Sequence, residues 1–250
     1  MKRTLVCLFA SLLFVSCSNQ GTTDPGNGQG KNPSEDVTAG VKTKITYPTL
    51  DSDQPMSIED FEYDSLNRLH KRSFYGGDRE ILYEYDDYFY DGNGLLTKRL
   101  DYYSNVNSPS GFLLLILRAY IYSDGLLISE QDTFPQAVFS EEYKYEYSSG
   151  QLVSKSFYHN GNLENKTIYT YENGRLQNES KCNPTGKSVS LIEYSYQDNF
   201  LVESRLYGYN GDLMTKTSYD YNENGKLITE NVQVIQIFSS YRPYVVRYQY

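Results

Sequence analysis

Histidines and oxygen-rich segments are the side chains in this sequence that could hold a metal or a catalytic base. His70 and His159 are the only histidines, and neither has a second His or Cys at the spacing of a zinc ligand set. No Gly-x-Ser-x-Gly is present, so a nucleophile elbow is not indicated. Asp91-Gly92-Asn93-Gly94 does not match an EF-hand loop and is typical of a hairpin turn. The sequence therefore predicts no metal site and no cofactor.

Adjacent acidic residues are the remaining candidates for chemistry, because glycosidases use two carboxylates roughly 5 to 10 Å apart. The pairs are Asp86-Asp87 and Glu141-Glu142. Neighbouring residues of a strand point to opposite faces, so neither pair could act together there. The acids that follow each Tyr-x-Tyr are typical of turns, where their side chains bond the local backbone. We predict no catalytic residue, and a protein that is not an enzyme.

Tyrosine supplies the candidate binding residues, since it accounts for 27 of the 250 residues. Tyr147, Tyr171, Tyr196 and Tyr221 recur at a regular spacing and could stack on sugar rings or contact a protein partner. An aromatic ladder is equally what cross-strand packing in a repeat protein requires. The sequence leaves both interpretations open.

These tyrosines belong to a repeat of 24 to 32 residues, in which Tyr-x-Tyr is followed by a short loop and a leucine. Seven copies and a terminal half-copy are present. The second aromatic of the copies is Tyr63, Tyr90, Tyr122, Tyr147, Tyr171, Tyr196, Tyr221 and Tyr250. The leucine of the copies is Leu69, Leu96, Leu127, Leu152, Leu176, Leu201 and Leu227.

The loops of the repeat predict hairpins. A Gly or Asn two positions before each leucine suits a type I turn closed by a left-handed residue; Asn199 and Gly225 are examples. A second turn signal lies about half a repeat further on, so each repeat holds two strands and the domain about 14 to 16. Insertions at 105–117 and 132–139 predict longer loops. No segment has the periodicity of an amphipathic helix.

The predicted strands have an incomplete apolar face. In simple alternation Leu201, Glu203 and Arg205 share one side, so neither side is wholly apolar. This favours an all-β, single-layer or spirally wrapped antiparallel hairpin sheet over a two-sheet sandwich. The run Phe112–Leu117 predicts a buried strand; the alternative is an exposed, partner-binding edge.

The N-terminus has the features of an export signal. Lys2 and Arg3 precede an apolar stretch that is too short to span a bilayer. Phe14-Val15-Ser16-Cys17 resembles the lipobox of bacterial lipoproteins, with Phe14 where Leu is usual, and this implies acylation of Cys17. We therefore predict a signal peptide at 1–16, the lipidated Cys17 with a flexible tether at 17–43, and a repeat domain at 44–250.

Charge limits the classes of partner that the chain can bind, and the cysteine content limits the disulfides that it can form. The formal net charge is -9 and no Lys/Arg cluster is present, so nucleic acid is excluded as a partner. Cys182 is the only cysteine after Cys17, so no disulfide within the domain is expected. The predicted contact with a membrane is through the N-terminal lipid.

The repeat Tyr-x-Tyr-Asp/Glu-x-x-Gly-x-Leu resembles the YD repeats of RHS-type proteins from Phe61 to Tyr250. The resemblance implies a wrapped β-sheet, and the small number of repeats resembles short YD-repeat lipoproteins of Bacteroides-like bacteria. It implies an outer membrane lipoprotein, on the cell surface or the periplasmic face. The expected function is a binding or structural module for a polysaccharide or a protein partner. The alternatives are an accessory or enzyme of polysaccharide breakdown and a short relative of RHS toxin systems.

Overall fold

The structure, a computed structural model, describes residues 40–235 and 242–250. The predicted signal segment, Cys17 and most of the predicted tether lie outside the described residues. Sixteen strands are present in the described part, and it contains no helix long and apolar enough to cross a bilayer.

In chain order the strands are β1 Thr43–Tyr47, β2 Ser57–Tyr63, β3 Leu69–Gly76, β4 Leu82–Tyr90, β5 Leu96–Ser104, β6 Phe112–Ser123, β7 Leu126–Thr133, β8 Ser140–Ser148, β9 Gln151–His159, β10 Asn162–Glu172, β11 Arg175–Cys182, β12 Ser188–Gln197, β13 Phe200–Gly208, β14 Leu213–Tyr221, β15 Leu227–Val234 and β16 Tyr244–Gln249.

The strands form one antiparallel sheet that closes into a barrel. Each strand pairs with its sequence neighbours, and β1 pairs with β16, with Thr43 opposite Gln249. The predicted all-β antiparallel hairpin architecture is confirmed, with sixteen strands. The predicted single-layer or spirally wrapped form of the sheet is wrong, because the sheet closes into a barrel in which β1 pairs with β16.

The barrel is wide. With neighbouring strands about 4.8 Å apart, sixteen strands give a perimeter of roughly 77 Å, enough to enclose a lumen. Consecutive repeats are offset by two residues along the strand. Arg72 lies opposite Asp86 of β4, but the equivalent residue of the next repeat, Arg99, lies opposite Tyr88, which is two residues further along β4. Such an offset tilts the strands, as closure of a barrel requires.

The short copies of the repeat turn through two residues. Ser123 pairs with Leu126, which leaves Asp124 and Gly125 with φ of 51° and 78°. Positive φ at both central residues is the geometry of a type I′ hairpin, not of the predicted type I turn. In the copy that contains Tyr196 the left-handed residue is Asp198 (φ 55°), so the prediction for Asn199 is wrong.

The long copies have the predicted type I turn. Gly225, with φ of 71°, donates its N–H to the carbonyl of Asn222 at 2.9 Å. The Asn222 side chain accepts backbone N–H bonds from Asn224 and Lys226, both at 3.0 Å. This is the local bonding that the sequence predicts for polar turn residues.

Every copy carries a β-bulge directly after the turn. Tyr196 lies opposite Leu201 but Ser195 lies opposite Glu203, which makes Val202 an extra residue. A bulge shifts the alternation of faces by one residue. Leu201 therefore shares its face with Ser204, and the prediction that it shares a face with Glu203 and Arg205 is wrong. The same shift occurs opposite Tyr63, Tyr90, Tyr122, Tyr147, Tyr171 and Tyr221.

The inner face of the barrel carries the buried core. The first aromatic of each Tyr-x-Tyr and the repeat leucine lie on this face and pack along the wall. Tyr88, Tyr120, Tyr145 and Leu127 are among the most buried side chains. Because these contacts join neighbouring strands, the core is a lining of the wall.

The second aromatic ties each repeat to the one before it. Its hydroxyl donates to a backbone carbonyl on the preceding strand: Tyr90 to Leu69 at 2.8 Å, Tyr221 to Leu201 at 2.9 Å and Tyr250 to Leu227 at 2.9 Å. These bonds need the tyrosine hydroxyl, whereas the leucine contributes its backbone carbonyl to the bond and its side chain to the buried lining.

The apolar run Phe112–Leu117 is a strand segment, as predicted, but it is not buried. It begins β6, and its side chains are half-buried except for Leu115, which is exposed. The run pairs with β5, but pairing with β7 begins only at Leu117, so one side of 112–116 is left without a partner strand among the described residues. The predicted long loops are confined to 105–111 and 134–139.

Candidate functional site on the inner wall

The third residue after each repeat leucine points into the barrel because of the bulge. The seven residues at this position are Arg72, Arg99, Glu130, Lys155, Glu179, Ser204 and Glu230. Six of the seven carry charge, and each lies opposite the first aromatic of a copy. The inner wall therefore alternates charged and aromatic side chains.

Three ion pairs lie side by side on β3 to β7, and we call them the arginine belt: Arg72–Asp86, Arg99–Asp101 and Arg118–Asp132. Arg99 binds both Asp101 oxygens at 2.6 Å. Arg118 binds those of Asp132 at 2.6 and 2.5 Å. Arg72 Nη2 lies 2.7 Å from Asp86, and Nη1 lies 3.5 Å from Glu59. The forked geometry fixes the planes of the Arg99 and Arg118 guanidinium groups.

In each pair of the belt the arginine is more exposed than its aspartate, although Asp101, at 13%, is only slightly less exposed than Arg99, at 19%. The side chains of Asp86 and Asp132 are 3% and 1% exposed, while those of Arg72 and Arg118 are 33% and 14% exposed. A guanidinium has five N–H donors and a two-point bond to a carboxylate uses two of them. Of the remaining donors, Arg118 Nη1 lies 3.8 Å from Glu130 and Arg72 Nε is buried without a partner among the described residues, so only the solvent-accessible N–H groups can reach oxygen atoms of a ligand.

Burial controls the protonation of the belt. It raises the pKa of Asp86, and the nearby Asp101 adds to this effect while Arg72 opposes it. Burial also raises the pKa of Tyr88 to about 12, so this hydroxyl stays protonated at neutral pH. Arg99 and Arg118 lie directly opposite each other, an arrangement of like charges that needs the flanking aspartates.

On β11 to β16 the inward carboxylates have tyrosine partners in place of arginines. Tyr194 donates to Glu179 and Tyr248 to Glu230, both at 2.6 Å. Burial raises the pKa of both carboxyl groups, and the tyrosine bonds offset it only in part. This part of the wall is less charged, with Ser204 in place of an ionic residue.

The four predicted stacking tyrosines lie on the inner face at one rim of the barrel and are half-buried. Tyr221 has its hydroxyl on the Leu201 carbonyl and its ring 4.9 Å from that of Phe200. The Arg175 guanidinium lies 5.9 Å from the Tyr196 ring. Burial raises the pKa of Tyr147 to about 12. Tyr171 occupies the matching place on β10, so the structure brings all four into one row.

The predicted carboxylate pairs are split as expected. Asp86 faces the lumen, while Asp87 lies opposite Lys71 and Leu100 on the outer face. Glu141 and Glu142 likewise point to opposite faces of β8. His159 lies 3.6 Å from Glu141 at the end of β9.

The other residues that the sequence analysis considered for chemistry lie in a bulge, in a turn and at the end of a strand. His70 is the extra residue of a bulge. The Asp91 side chain accepts two backbone N–H bonds of its own turn, as predicted. Cys182 is a buried free thiol at the end of β11. Within residues 40–235 and 242–250, no group of three His, Cys, Asp or Glu side chains is placed to hold a metal ion.

Sequence reasoning missed the arginine belt. Its signal is present, because Arg72 and Arg99 each follow a repeat leucine by three residues. Strict alternation assigns that position to the outer face, and only the bulge places it inside. Arg118 precedes Tyr120 by two residues and shares its face in ordinary alternation.

Comparisons with known proteins identify no family. No family model and no curated protein matches the chain. Among solved structures, a porin-like protein from Bacteroides vulgatus ATCC 8482 is 9% identical, with a TM-score of 0.48 over 84% of this chain and 98% of that one. A porin-like protein from Bacteroides uniformis ATCC 8492 is 12% identical, with a TM-score of 0.35 over 84% and 97%. TcdB2-TccC3-TEV is 14% identical, with a TM-score of 0.29 over 78% of this chain and 12% of that chain. At these scores the similarities establish neither a family nor a function.

Proposed function

We propose that this chain is an exported, lipid-anchored binding protein whose barrel takes up an oligosaccharide against the arginine belt. The observation that carries the proposal is the belt: three inward guanidinium groups are held by carboxylates, each of which is less exposed than its arginine, and two of which, Asp86 and Asp132, are buried. Donors held in place in this way are preorganised for the oxygen atoms of a polar ligand.

The aromatic lining supports a sugar as the ligand class. Tyr122 and Tyr147 lie on the same face as the belt and are only half-buried, so their rings supply apolar surface on the inner wall. A sugar offers an apolar ring face and a rim of hydroxyl groups, so it can use both kinds of surface. The overall charge of -9 disfavours polyanions such as nucleic acid.

The outer wall supports a barrel that stands clear of the bilayer on its tether. Glu193, Arg205 and Lys216 lie opposite one another on the outer faces of β12 to β14. Charges at the middle of a wall are costly in hydrocarbon. An outer membrane lipoprotein with a lipid on Cys17 and its barrel outside the bilayer accounts for this wall and for the export signal together.

Binding to a glycan array, followed by calorimetry on any hit, tests the ligand class. Arg99→Lys and Arg118→Lys keep the charge but lose the two-point bond, and we expect each to weaken binding about tenfold or more. Arg205→Lys is the matched control, since Arg205 pairs with Glu203 on the outer wall at 2.6 Å. Equal affinity in all three variants, or no binding by the folded protein to any glycan, would refute the proposal.

The row of rim tyrosines is tested separately. If the glycan reaches the rim, Tyr147→Ala and Tyr171→Ala should weaken it, because a stacked ring contributes contact area that Ala lacks. Tyr209→Ala is the control, since Tyr209 is 76% exposed and lies in a loop. Unchanged affinity in the rim variants would restrict the site to the belt.

Lipidation has its own test. Metabolic labelling with a fatty acid should mark the wild-type chain and not Cys17→Ser, and the variant should leave the membrane fraction. Labelling of both chains would exclude Cys17 as the anchor.

A further inference from the structure

One side of the outer wall is apolar. The ten large apolar side chains on the outer faces of β4 to β7, which we call the apolar stripe, are Tyr85, Phe89, Leu100, Tyr102, Phe112, Leu114, Leu115, Leu117, Ile121 and Ile128. Register places them side by side, with Tyr102 opposite Tyr85 and Leu114, and Leu100 opposite Leu117. Ring contacts also connect Tyr85 to Tyr102 at 4.6 Å and to Phe112 at 5.0 Å.

The stripe is exposed although it is part of a closed sheet. Phe89, Leu115, Ile121 and Ile128 are each 39% exposed, and Leu115 is the unpaired residue of a bulge. The other six side chains are half-buried. Water therefore contacts a continuous apolar surface, which is uncommon on a monomeric protein and marks interaction sites.

We propose that the apolar stripe is the interface of a homodimer, in which two barrels pack side by side about a twofold axis. Every strand is paired on both sides over part of its length, and the unpaired side of β6, at 112–116, is short, so a partner packs mainly against the face. A face that is apolar across four neighbouring strands suits an isologous contact, because each copy offers the other the same surface.

The area of the stripe matches this partner. Four strands about 4.8 Å apart and some nine residues long, at about 3.3 Å each, cover roughly 570 Å². A standard interface buries about 800 Å² on each partner, with an apolar centre and a polar rim. The stripe supplies the centre, and neighbours such as Lys71 and Lys98 supply the rim.

Charge also favours a second copy at this position. The chain carries a net charge of -9, so two copies repel each other in most orientations. The charged residues beside the stripe include Lys71, Asp87 and Lys98 on β3 to β5 and Glu142 and Lys144 on β8, three bases and two acids. Lys71 and Lys98 lie over stripe rings at 4.7 and 4.2 Å. Two copies can approach here without the repulsion of the remaining surface.

Sedimentation velocity on the unacylated Cys17→Ser chain, from about 1 to 100 µM, tests the interface. We expect a dimer, and a loss of affinity of about 100-fold in Leu115→Glu and Ile121→Glu, since a central charge in an apolar contact is left unpaired. Ile168→Glu is the matched control: Ile168 is 44% exposed on the outer wall at β10, and the dimer should persist. Circular dichroism verifies that the variants remain folded.

Cross-linking gives a second readout that does not depend on lost stability. Leu115→Cys in the Cys17→Ser background should form a reducible dimer under mild oxidation, whereas Ile168→Cys should not; Cys182 is buried in both. A monomer at the highest concentration, a dimer insensitive to the stripe variants, or equal cross-linking at both sites overturns the proposal. Flotation of that monomer with phosphatidylethanolamine–phosphatidylglycerol vesicles would assign the stripe to a lipid surface instead.

Discussion

The inner walls of β3 to β7 and of β11 to β16 both contain buried carboxylates, but different side chains bind these carboxylates in the two regions. Both have acidic side chains facing inward from the same repeat. On β3 to β7 the aspartates pair with guanidinium groups, as Asp132 does with Arg118. Glu130 at the end of this region already accepts a hydrogen bond from Tyr145 at 2.6 Å. On β11 to β16 the acid bonds to a tyrosine hydroxyl, as Glu179 does with Tyr194. The difference teaches that the hairpin geometry tolerates either partner, while the charge on the inner wall depends on which residues occupy the inward positions of each repeat.

The largest effect is expected where an ion pair of the arginine belt is broken. Asp132→Ala leaves the buried Arg118 without its two-point partner, and we expect a loss of about 3–5 kcal/mol in the free energy of unfolding in urea. Glu203→Ala on the outer wall removes the partner of Arg205 and Lys216, two solvent-accessible cations, and should cost much less than Asp132→Ala. Similar losses in both variants would mean that the belt does not differ from surface ion pairs.

A smaller effect is expected where a tyrosine partner is removed. Tyr194→Phe leaves the buried Glu179 without its hydroxyl donor, and we expect a loss of about 1–3 kcal/mol in denaturant titrations. Tyr209→Phe, in an exposed loop, should leave the unfolding midpoint unchanged. A loss as large as that of Asp132→Ala would remove the distinction between the two parts of the wall.

At the rim, loss of a tyrosine hydroxyl should cost the same stability in both parts of the wall. Tyr90→Phe on β4 and Tyr221→Phe on β14 each remove one bond to a leucine carbonyl, and we expect a similar loss of about 0.5–1.5 kcal/mol from both. Thermal unfolding of the pair checks this. Markedly unequal losses would show that the rim bonds depend on the wall above them.

The smallest expected effect is a difference in stability between Glu179→Gln and the wild type, and it depends on pH. Burial raises the pKa of Glu179, so the folded state favours the protonated form; the related stabilisation is present below the ordinary value of 4.5 and is lost as the pH rises through the raised pKa. Glu179→Gln should therefore be the more stable protein at neutral pH, and its advantage should vanish in acid.

Glu59 should behave in the opposite way. Burial acts to raise its pKa, but Lys44 and Arg72 outweigh burial and lower it. Its stabilisation is present above 4.5 and is lost as the pH falls through the lowered pKa, so Glu59→Gln should destabilise the protein at neutral pH. Urea midpoints measured across this range decide both cases; the same sign in the two variants would contradict the comparison.

The hairpins could be predicted from the sequence because their signals are local. The Gly and Asn residues before each leucine locate the turns, and the Tyr-x-Tyr spacing gives the number of strands. Closure could not be predicted, since the pairing of Thr43 with Gln249 joins the two ends of the described chain and has no local signal.

The site was hidden by a single extra residue in each repeat. Strict alternation places Arg99 on the outer face, because it lies three positions after Leu96. The bulge at Thr97 reverses that assignment and turns Arg99 toward the lumen. A bulge has no strong residue signature, so the turns were easier to predict than the face that each side chain occupies.

Because each repeat supplies two strands with a constant offset, the number of repeats sets the diameter of the barrel. Adding or deleting one repeat changes the strand number by two, so the first and last strands remain antiparallel and closure is preserved. The perimeter changes by about 10 Å and the diameter by about 3 Å. Duplication of a single copy would thus produce a barrel that is wider by two strands, and chains with different numbers of repeats would form a series of barrels of graded diameter.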